Sequence, residues 1–312
     1  EEALLAGVSD PAGRSLGVAA VDLDGDRHLD LYVANDVSPN ALFLNRSRAP
    51  GEMHFEDASA STGTADPRGS MGICAGSLAP EPGPPLPSLF ITHWVAQENA
   101  LDEPVLVGDG RLEYRDRARA RRIAEVSLDR VGWGCAAVDL DGDRRVDLLV
   151  ANGSTLESPS DGELIAQRPL LHWNAGDHFV DLASIAGEQL TSEHVARGLA
   201  VADFDADGDL DVAISRKRDA PLRLANRAPV PRGLRVRLAG DGTGGRLELR
   251  QPDRVQRSWW RADASFASAH APEQHFGLGA EGGAATLCLD PAKGRRTCYS
   301  ELPPGRGVTL YP

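Results

Sequence analysis

The sequence predicts an all-β fold built from repeated sheets, and two observations lead to this prediction. First, the Asp-rich stretch VDLDGDRHLDLYVAND at residues 21–36 returns as VDLDGDRRVDLLVANG at 138–153 and ADFDADGDLDVAISRK at 202–217. Second, the flanking segments are short, rich in β-branched residues and bounded by Gly, Asp or Asn, as strands are. Most of the repeat region has no amphipathic run long enough for a helix.

The spacing of the repeats predicts four units. The second and third stretches lie 64 residues apart, and the first and second lie 117 apart, close to twice that unit. A degraded copy fills the gap at 70–101, where Ser77, Ala79 and Ser88 replace carboxylates, so we expect it to bind no cation. A unit of about 60 residues with four short strands fits a β-propeller blade.

The three Asp-rich stretches each contain a D-x-D-x-D-x-x-x-D loop, which we call loop 1 (22–30), loop 2 (139–147) and loop 3 (203–211). Side-chain oxygens at positions 1, 3, 5 and 9 and a backbone carbonyl at position 7 suit a hard cation. The predicted ligands are Asp22, Asp24, Asp26, His28 and Asp30 in loop 1; Asp139, Asp141, Asp143, Arg145 and Asp147 in loop 2; and Asp203, Asp205, Asp207, Asp209 and Asp211 in loop 3.

Calcium is the cation that these ligands favour. It takes six to eight oxygen ligands in a flexible shell, whereas magnesium demands a stricter octahedron and zinc or copper prefer nitrogen or sulfur. An EF-hand is not expected, because position 12 is Val33, Val150 or Ile214 instead of Glu. We therefore expect three Ca²⁺ ions with a structural role, whose charge of +6 would take the formal net charge from -13 to -7.

The charge of the chain restricts its partners. The formal net charge is -13 over 312 residues, and residues 229–312 carry a net +4 while residues 1–228 carry -17. This acidic surface argues against nucleic acid as a partner. No stretch has 18 consecutive apolar residues, so no transmembrane segment is predicted. The chain starts at Glu1, which favours a trimmed precursor over a partial sequence.

The four cysteines lack C-x-x-C spacing, which makes a zinc site unlikely and disulfides the better prediction. Cys288 and Cys298 flank a turn-like segment, LDPAKGRRT, and a hairpin there would bring them together. Cys74 and Cys135 have similar small-residue surroundings. They are predicted either to pair with each other or to be small buried hydrophobic residues, with burial favoured.

The loops with their L-D-L-x-V-A-N exits resemble the FG-GAP or VCBS repeats of integrin-like β-propellers. Residues 232–312 are similar to the ASPIC and UnbV domain of cartilage acidic protein relatives, most specifically in His275, Phe276, Gly277, Leu278 and Gly279. The predicted domains are therefore propeller repeats at 1–229 and a small β-sandwich-like domain at 230–312. The resemblance also implies a secreted, periplasmic or cell-surface location, in agreement with oxidised cysteines.

The number of units departs from the family pattern. The resemblance implies seven blades and the sequence offers four, so the others would lie in an absent upstream segment or a partner chain, unless the ring is smaller. EEALLAGVSD at 1–10 resembles the end of a preceding repeat, which favours absent sequence.

The sequence favours a non-enzymatic role. It holds no H-E-x-x-H or phosphate-loop motif. The leading hypothesis is an adhesion, interaction or assembly module with a protein partner. The alternative is a propeller that binds or processes carbohydrate, for which His93 with Trp94 and His172 with Trp173 would form a stacking platform if they do not pack between blades. Trp259 and Trp260 are a candidate partner site or core residues.

Overall fold

The computed structural model describes residues 2–49, 51–80, 83–227, 233–239, 243–260, 265–280, 285–292, 294–302 and 307–311. The fold is all-β, as predicted, with 44% strand and 6% helix. The α-helices among these residues are short: α1 (Glu2–Ala6), α2 (Ser59–Thr62) and α3 (Glu188–Thr191). None of the described helices has the length and apolar character needed to cross a bilayer.

Four antiparallel sheets follow one another along residues 15–224, one for each predicted unit. In each sheet the strands are hydrogen-bonded in chain order. Sheet 1 contains β1 (Ser15–Val21), β2 (Asp30–Asn35), β3 (Ala41–Asn45) and β4 (Phe55–Asp57), and sheet 2 contains β5 (Ser70–Gly76), β6 (Ser88–His93), β7 (Ala100–Val107) and β8 (Arg111–Asp116). Sheet 3 contains β9 (Gly132–Val138), β10 (Asp147–Asn152), β11 (Leu170–Asn174) and β12 (Phe179–Asp181), and sheet 4 contains β13 (Ala196–Ala202), β14 (Asp211–Arg216) and β15 (Asp219–Leu224).

The first strands of the four sheets lie side by side. Strand β5 contacts β1 and β9, and β9 contacts β13. Each pair of neighbouring sheets shares a hydrophobic cluster: Tyr32 and Leu89 belong to the first, Phe90 and Leu148 to the second. The third cluster joins sheets 3 and 4. Because each sheet buries its faces against its neighbours, the arrangement is that of propeller blades.

The register between first and second strands is the same in all four sheets. The last residue of the first strand pairs with the first residue of the second: Val21 with Asp30, Gly76 with Ser88, Val138 with Asp147 and Ala202 with Asp211. The Asp-rich loops therefore connect equivalent strand ends, and Ser88 stands where the other sheets have Asp.

The tail forms two sheets around one core. One sheet has the order β19-β16-β22 and the other β18-β17-β20-β21. Leu234 and Phe276 of the first pack with Leu247 and Leu287 of the second, in agreement with the predicted sandwich-like packing. The strands are β16 (Gly233–Leu238), β17 (Arg246–Gln251), β18 (Arg254–Trp259), β19 (Gln274–Gly277), β20 (Thr286–Asp290), β21 (Thr297–Tyr299) and β22 (Gly307–Leu310).

The predicted boundary between residues 229 and 230 lies outside the described residues, and it stays a prediction. On either side of it, β15 ends at Leu224 and β16 begins at Gly233.

The cysteines divide into two kinds. Cys288 and Cys298 are paired residues of β20 and β21 and form a disulfide, which confirms the predicted bridge. Cys74 and Cys135 are buried thiols in the hydrophobic cluster between sheets 2 and 3. Of the two predictions for them, burial as small hydrophobic residues is the one that the structure favours.

Candidate metal centres

The three Asp-rich loops share one backbone shape. The residue at position 4 has positive φ in each, at 87° for Gly25, 71° for Gly142 and 63° for Ala206. Position 6 does so as well, at 69° for Arg27, 76° for Arg144 and 105° for Gly208. Non-glycine residues are uncommon in this region, so its use at two matching positions in three loops indicates a common requirement of the turn.

The Asp at position 9 fixes each loop to its sheet. Asp30 is fully buried, and its carboxylate accepts hydrogen bonds from the N–H of Leu23 at 2.7 Å and of Asn45 at 2.8 Å. Asp147 accepts the same pair of bonds in loop 2, and Asp211 does so in loop 3. Position 9 therefore ties the second loop residue to the chain at the far end of the third strand.

The Asn residues that donate these bonds were missed in the sequence. They are Asn45, Asn174 and Asn226, and each also donates a side-chain hydrogen bond to a backbone carbonyl. A signal was present in two copies, because Asn45 and Asn226 each follow the position-9 Asp by 15 residues. The third copy is displaced by a longer connection between β10 and β11.

Carboxylates converge in each loop. In loops 1 and 2 the grouped side chains are those at positions 1, 3 and 9, namely Asp22, Asp24 and Asp30, then Asp139, Asp141 and Asp147. In loop 3 they are Asp203, Asp205 and Asp207 at positions 1, 3 and 5. Within each group the candidate ligand atoms lie within 4.8 Å of one another.

The remaining predicted ligands lie in the loops but outside these groups. They are Asp26, Asp143 and Asp211, together with His28, Arg145 and Asp209, whose predicted carbonyl ligation stays a prediction. In loop 1 the backbone N–H of His28 donates to Asp26 at 2.8 Å, and in loop 2 that of Arg145 donates to Asp143 at 2.8 Å. Position 5 thus helps to shape the turn.

Unsatisfied oxygens show that a cation fits loops 2 and 3. Asp139 Oδ1, Asp203 Oδ1 and Asp209 Oδ1 are buried and accept no hydrogen bond from the described residues. A buried carboxylate oxygen without a partner is costly. Burial also raises the pKa of Asp139 to about 7 and, in loop 1, that of Asp30 to about 8. A bound divalent cation would offset both costs.

In each loop, one carboxylate contacts a positively charged group or a hydrogen-bond donor from outside the loop. Arg46 Nη1 lies 2.6 Å from Asp24 Oδ2 in loop 1. Trp173 Nε1 donates to Asp141 Oδ2 at 2.8 Å in loop 2, and Arg235 Nη1 of the tail donates to Asp203 Oδ2 at 2.7 Å in loop 3. These contacts hold the carboxylates in place around the candidate cation positions.

The tail covers loop 2. Gly279 N–H donates to the carbonyl of Gly142 at 3.1 Å, and Asp253 accepts from Arg144 at 2.8 Å. A Cβ added at Gly277 would lie 2.2 Å from Asp139 Oδ2 and 2.5 Å from the carbonyl oxygen of Gly142. The HFGLG segment of the tail therefore rests directly on this loop, and only a glycine fits at position 277.

The degraded repeat lacks an acidic cluster in its described part. Its loop connects β5 to β6 at residues 77–87, with Ser77 and Ala79 in the early positions. The three groups of convergent metal-type ligands in the described residues all lie in loops 1 to 3. That sheet 2 binds no cation stays a prediction.

The proposed aromatic platform is not an open surface. His93 and His172 are fully buried, and Phe90 packs edge-on to His172 with 6.3 Å between ring centroids. Trp94 donates to Thr155, and Trp173 supports loop 2. Trp259 and Trp260 are each 7% exposed, so both are core residues and the alternative of an exposed partner site is wrong.

Comparison with known proteins agrees with the order of the sheets. The family model described as FG-GAP-like repeat matches residues 139–214, which include loops 2 and 3. The family model described as ASPIC and UnbV matches residues 236–311. No curated protein matches the chain. The order of these two matches, a repeat model followed by the ASPIC and UnbV model, is the order that the sequence predicted.

Proposed function

We propose that this protein is an extracellular interaction module whose repeat sheets are stabilised by three calcium ions. One observation carries the proposal: three loops of one backbone shape join equivalent strand ends, and each gathers three carboxylates. A repeated geometry of this kind suits a cation that stabilises each of the three sheets that carry an Asp-rich loop.

The role of calcium in this proposal is structural. Each loop joins the first strand of a sheet to the second, and the first strands of neighbouring sheets lie side by side. Binding to the folded state alone stabilises that state by mass action. The residues that would hold the ions are the grouped carboxylates, assisted by Asp26, Asp143 and Asp211 and by the carbonyls of position 7.

The proposed partner is another protein. FG-GAP-like repeats and the ASPIC and UnbV domain are typical of extracellular proteins, and the chain has a disulfide. On β1, Leu16 is 39% and Val18 is 54% exposed. These exposed apolar side chains lie on the first strand of the first sheet. They favour a partner chain that packs there and continues the array of sheets. The location that fits is secreted, periplasmic or at the cell surface.

We propose no catalytic activity. The sequence has no H-E-x-x-H or phosphate-loop motif, and its G-x-S-x-G match at 13–17 leads into strand β1, where Ser15 Oγ donates to Asn35 Oδ1 at 3.0 Å. The carbohydrate hypothesis loses the platform of His93 and His172, which are buried. Glycan-array binding together with a hydrolase and lyase screen tests what remains of it.

Elemental analysis of the bound metal tests the calcium proposal. The protein equilibrated with calcium should hold three ions, and Asp141→Ala and Asp205→Ala should each hold one fewer. Asp161→Ala, at an exposed aspartate outside the loops, is the matched control and should hold all three. An unchanged ion count in both loop variants would refute the assignment.

Affinity purification from the source tests the partner. We expect a protein to co-purify in calcium and to be lost when Val18 is replaced by Asp. Purification of the protein alone under all conditions would contradict the interaction role and leave the metal assignment untouched.

A further inference from the structure

A cavity of about 260 Å³ lies between the repeat region and the tail, and we call it the seam cavity. One wall is formed by the ends of β5 and β9, and the opposite wall by β18. The segment at 268–276 closes a third side. The seam cavity is not one of the candidate metal centres, although Asp139 of loop 2 also lines it.

Arg254 brings to the seam cavity a positive charge that has no ion-pair partner among the described residues. Its half-buried guanidinium lines the cavity and makes no hydrogen bond or ion pair with any residue in the described part of the chain. Burial lowers the pKa of Arg254, and Arg145 and Arg144 lower it further. Asp143 and Asp139 oppose this shift.

Three other charged residues of the cavity wall have partners. Arg144 pairs with Asp253 at 2.8 Å, and Arg257 lies 3.4 Å from Glu248. Glu273 pairs with Arg237 at 2.7 Å. Asp139 is the remaining charged residue of the wall, and in the proposed function, on which this inference rests, its charge belongs to the calcium site of loop 2. The positive charge of Arg254 is then left without a partner among the described residues, and a half-buried guanidinium without an acceptor favours the entry of an anion.

The walls indicate what kind of anion fits. A planar guanidinium binds a carboxylate with two parallel hydrogen bonds. Ala75, Ala137 and Trp259 give apolar surface that a bare inorganic ion would leave uncovered, and the Ser77 hydroxyl offers a polar group on the same lining. The volume lies below the range of about 300 to 1,000 Å³ of drug-sized pockets, so the ligand is small.

We propose that the seam cavity is a binding site for a small hydroxylated carboxylate, with the carboxylate on Arg254 and the organic body against the apolar wall. Because the site joins the repeat region to the tail, its ligand also holds the two parts together.

Isothermal titration and thermal unfolding in saturating calcium test the proposal, with D-glucuronate as the probe. D-Glucose is the neutral match, and sulfate tests for a simple anion site. We expect glucuronate to bind and to raise the melting temperature, and glucose to do neither. Sulfate should bind more weakly than glucuronate.

Two variants locate the binding. Arg254→Gln should weaken glucuronate binding by about tenfold or more, because the charged pair is lost. Ser77→Trp should also abolish it by filling the cavity while leaving Arg254 in place. Arg115→Gln, at an exposed arginine of β8, is the control and should bind as the unaltered protein does.

Three results would overturn the proposal. They are no glucuronate binding by the unaltered protein, equal binding by Arg254→Gln, and sulfate binding as tight as that of glucuronate. Each of them leaves the calcium stoichiometry unaffected, so a failure here is distinct from a failure of the metal assignment.

Discussion

The position-9 aspartates serve the fold and the candidate metal centre with the same carboxylate. Both oxygens of Asp147 accept a backbone N–H, from Leu140 at 3.1 Å and from Asn174 at 2.8 Å. A carboxylate oxygen has two lone pairs, so it can accept such a bond and still face a cation. An amide has a single oxygen, and its NH₂ group would oppose one of the two backbone donors.

Replacement of Asp147 by Asn should therefore destabilise the protein with or without calcium. We expect a loss of about 1–3 kcal/mol in the free energy of unfolding, the cost of one unsatisfied buried donor. Asp141→Asn keeps an acceptor for Trp173 and should lose stability only when calcium is present. Denaturant titrations in calcium and in chelator measure both. Equal behaviour of the two variants would contradict the dual role of position 9.

Asp102 gives a pH dependence that is independent of the metal loops. It lies buried in β7, and burial raises its pKa to about 8, with Asp116 and Asp66 adding to the rise. The pKa of Asp102 in the folded state lies above its unfolded value of about 3.9, so the folded state binds this proton more tightly than the unfolded state does. The resulting stabilisation is fully present below a pH of about 3.9. This contribution is lost as the pH rises from about 4 to about 8.

Asp102→Asn should remove this loss, because the amide does not ionise. The variant should gain stability relative to the unaltered protein as the pH rises through that window, by up to about 1.4 kcal/mol per pH unit. Chemical denaturation at pH 5, 6, 7 and 8 with calcium held constant measures the difference. A constant difference across these values would show that the pKa of Asp102 is not raised into this range in the folded state.

At the scale of the elements, features that depend on residues close in sequence could be predicted, and contacts between residues distant in sequence could not. We predicted the strands beside the loops, the loops themselves and the degraded loop of sheet 2. Each of these predictions depends on ligand spacing or on a run of β-branched residues within about 16 consecutive positions. The support from Asn174 was missed, since β11 lies a long connection away from loop 2. Burial of His93 and His172 depends on neighbouring sheets, and residue type alone does not fix it.

The HFGLG segment makes a testable link between two elements. Gly277→Ala would place a Cβ 2.2 Å from Asp139 Oδ2, so either the loop or β19 must shift. We expect weaker binding of one calcium ion, by about tenfold or more, and a lower melting temperature. Gly233→Ala in β16 is the control, because the nearest atom to its Cβ would be the Phe276 carbonyl oxygen at 3.4 Å, an ordinary contact. Unchanged calcium titrations for Gly277→Ala would contradict the contact.

At the scale of the whole molecule, the tail adds its backbone and side chains to the first strands of sheets 3 and 4. Ser265 Oγ accepts from the N–H of Cys135 at 3.0 Å, and Ser268 Oγ accepts from that of Leu199 at 3.0 Å. Ala271 N–H donates to the Val201 carbonyl at 3.0 Å. The tail thus meets the repeats at strands β9 and β13 and at loops 2 and 3. No sequence pattern predicted this seam, because it arises from residues at least 32 positions apart.

Removal of calcium should therefore loosen the tail as well as the loops. Gly277 and Gly279 of the tail contact loop 2, and Arg235 of the tail donates to Asp203 of loop 3. Without calcium, repulsion among the loop carboxylates should disturb both sets of contacts. We expect trypsin to separate the repeats from the tail several-fold faster in chelator than in calcium, with the first cut at Arg227 or Arg232. Asp205→Ala should show part of this acceleration in calcium, and Asp161→Ala none. A first cut within 15–224 would instead show that the sheets open before the tail detaches, and it would argue against a boundary near residue 230.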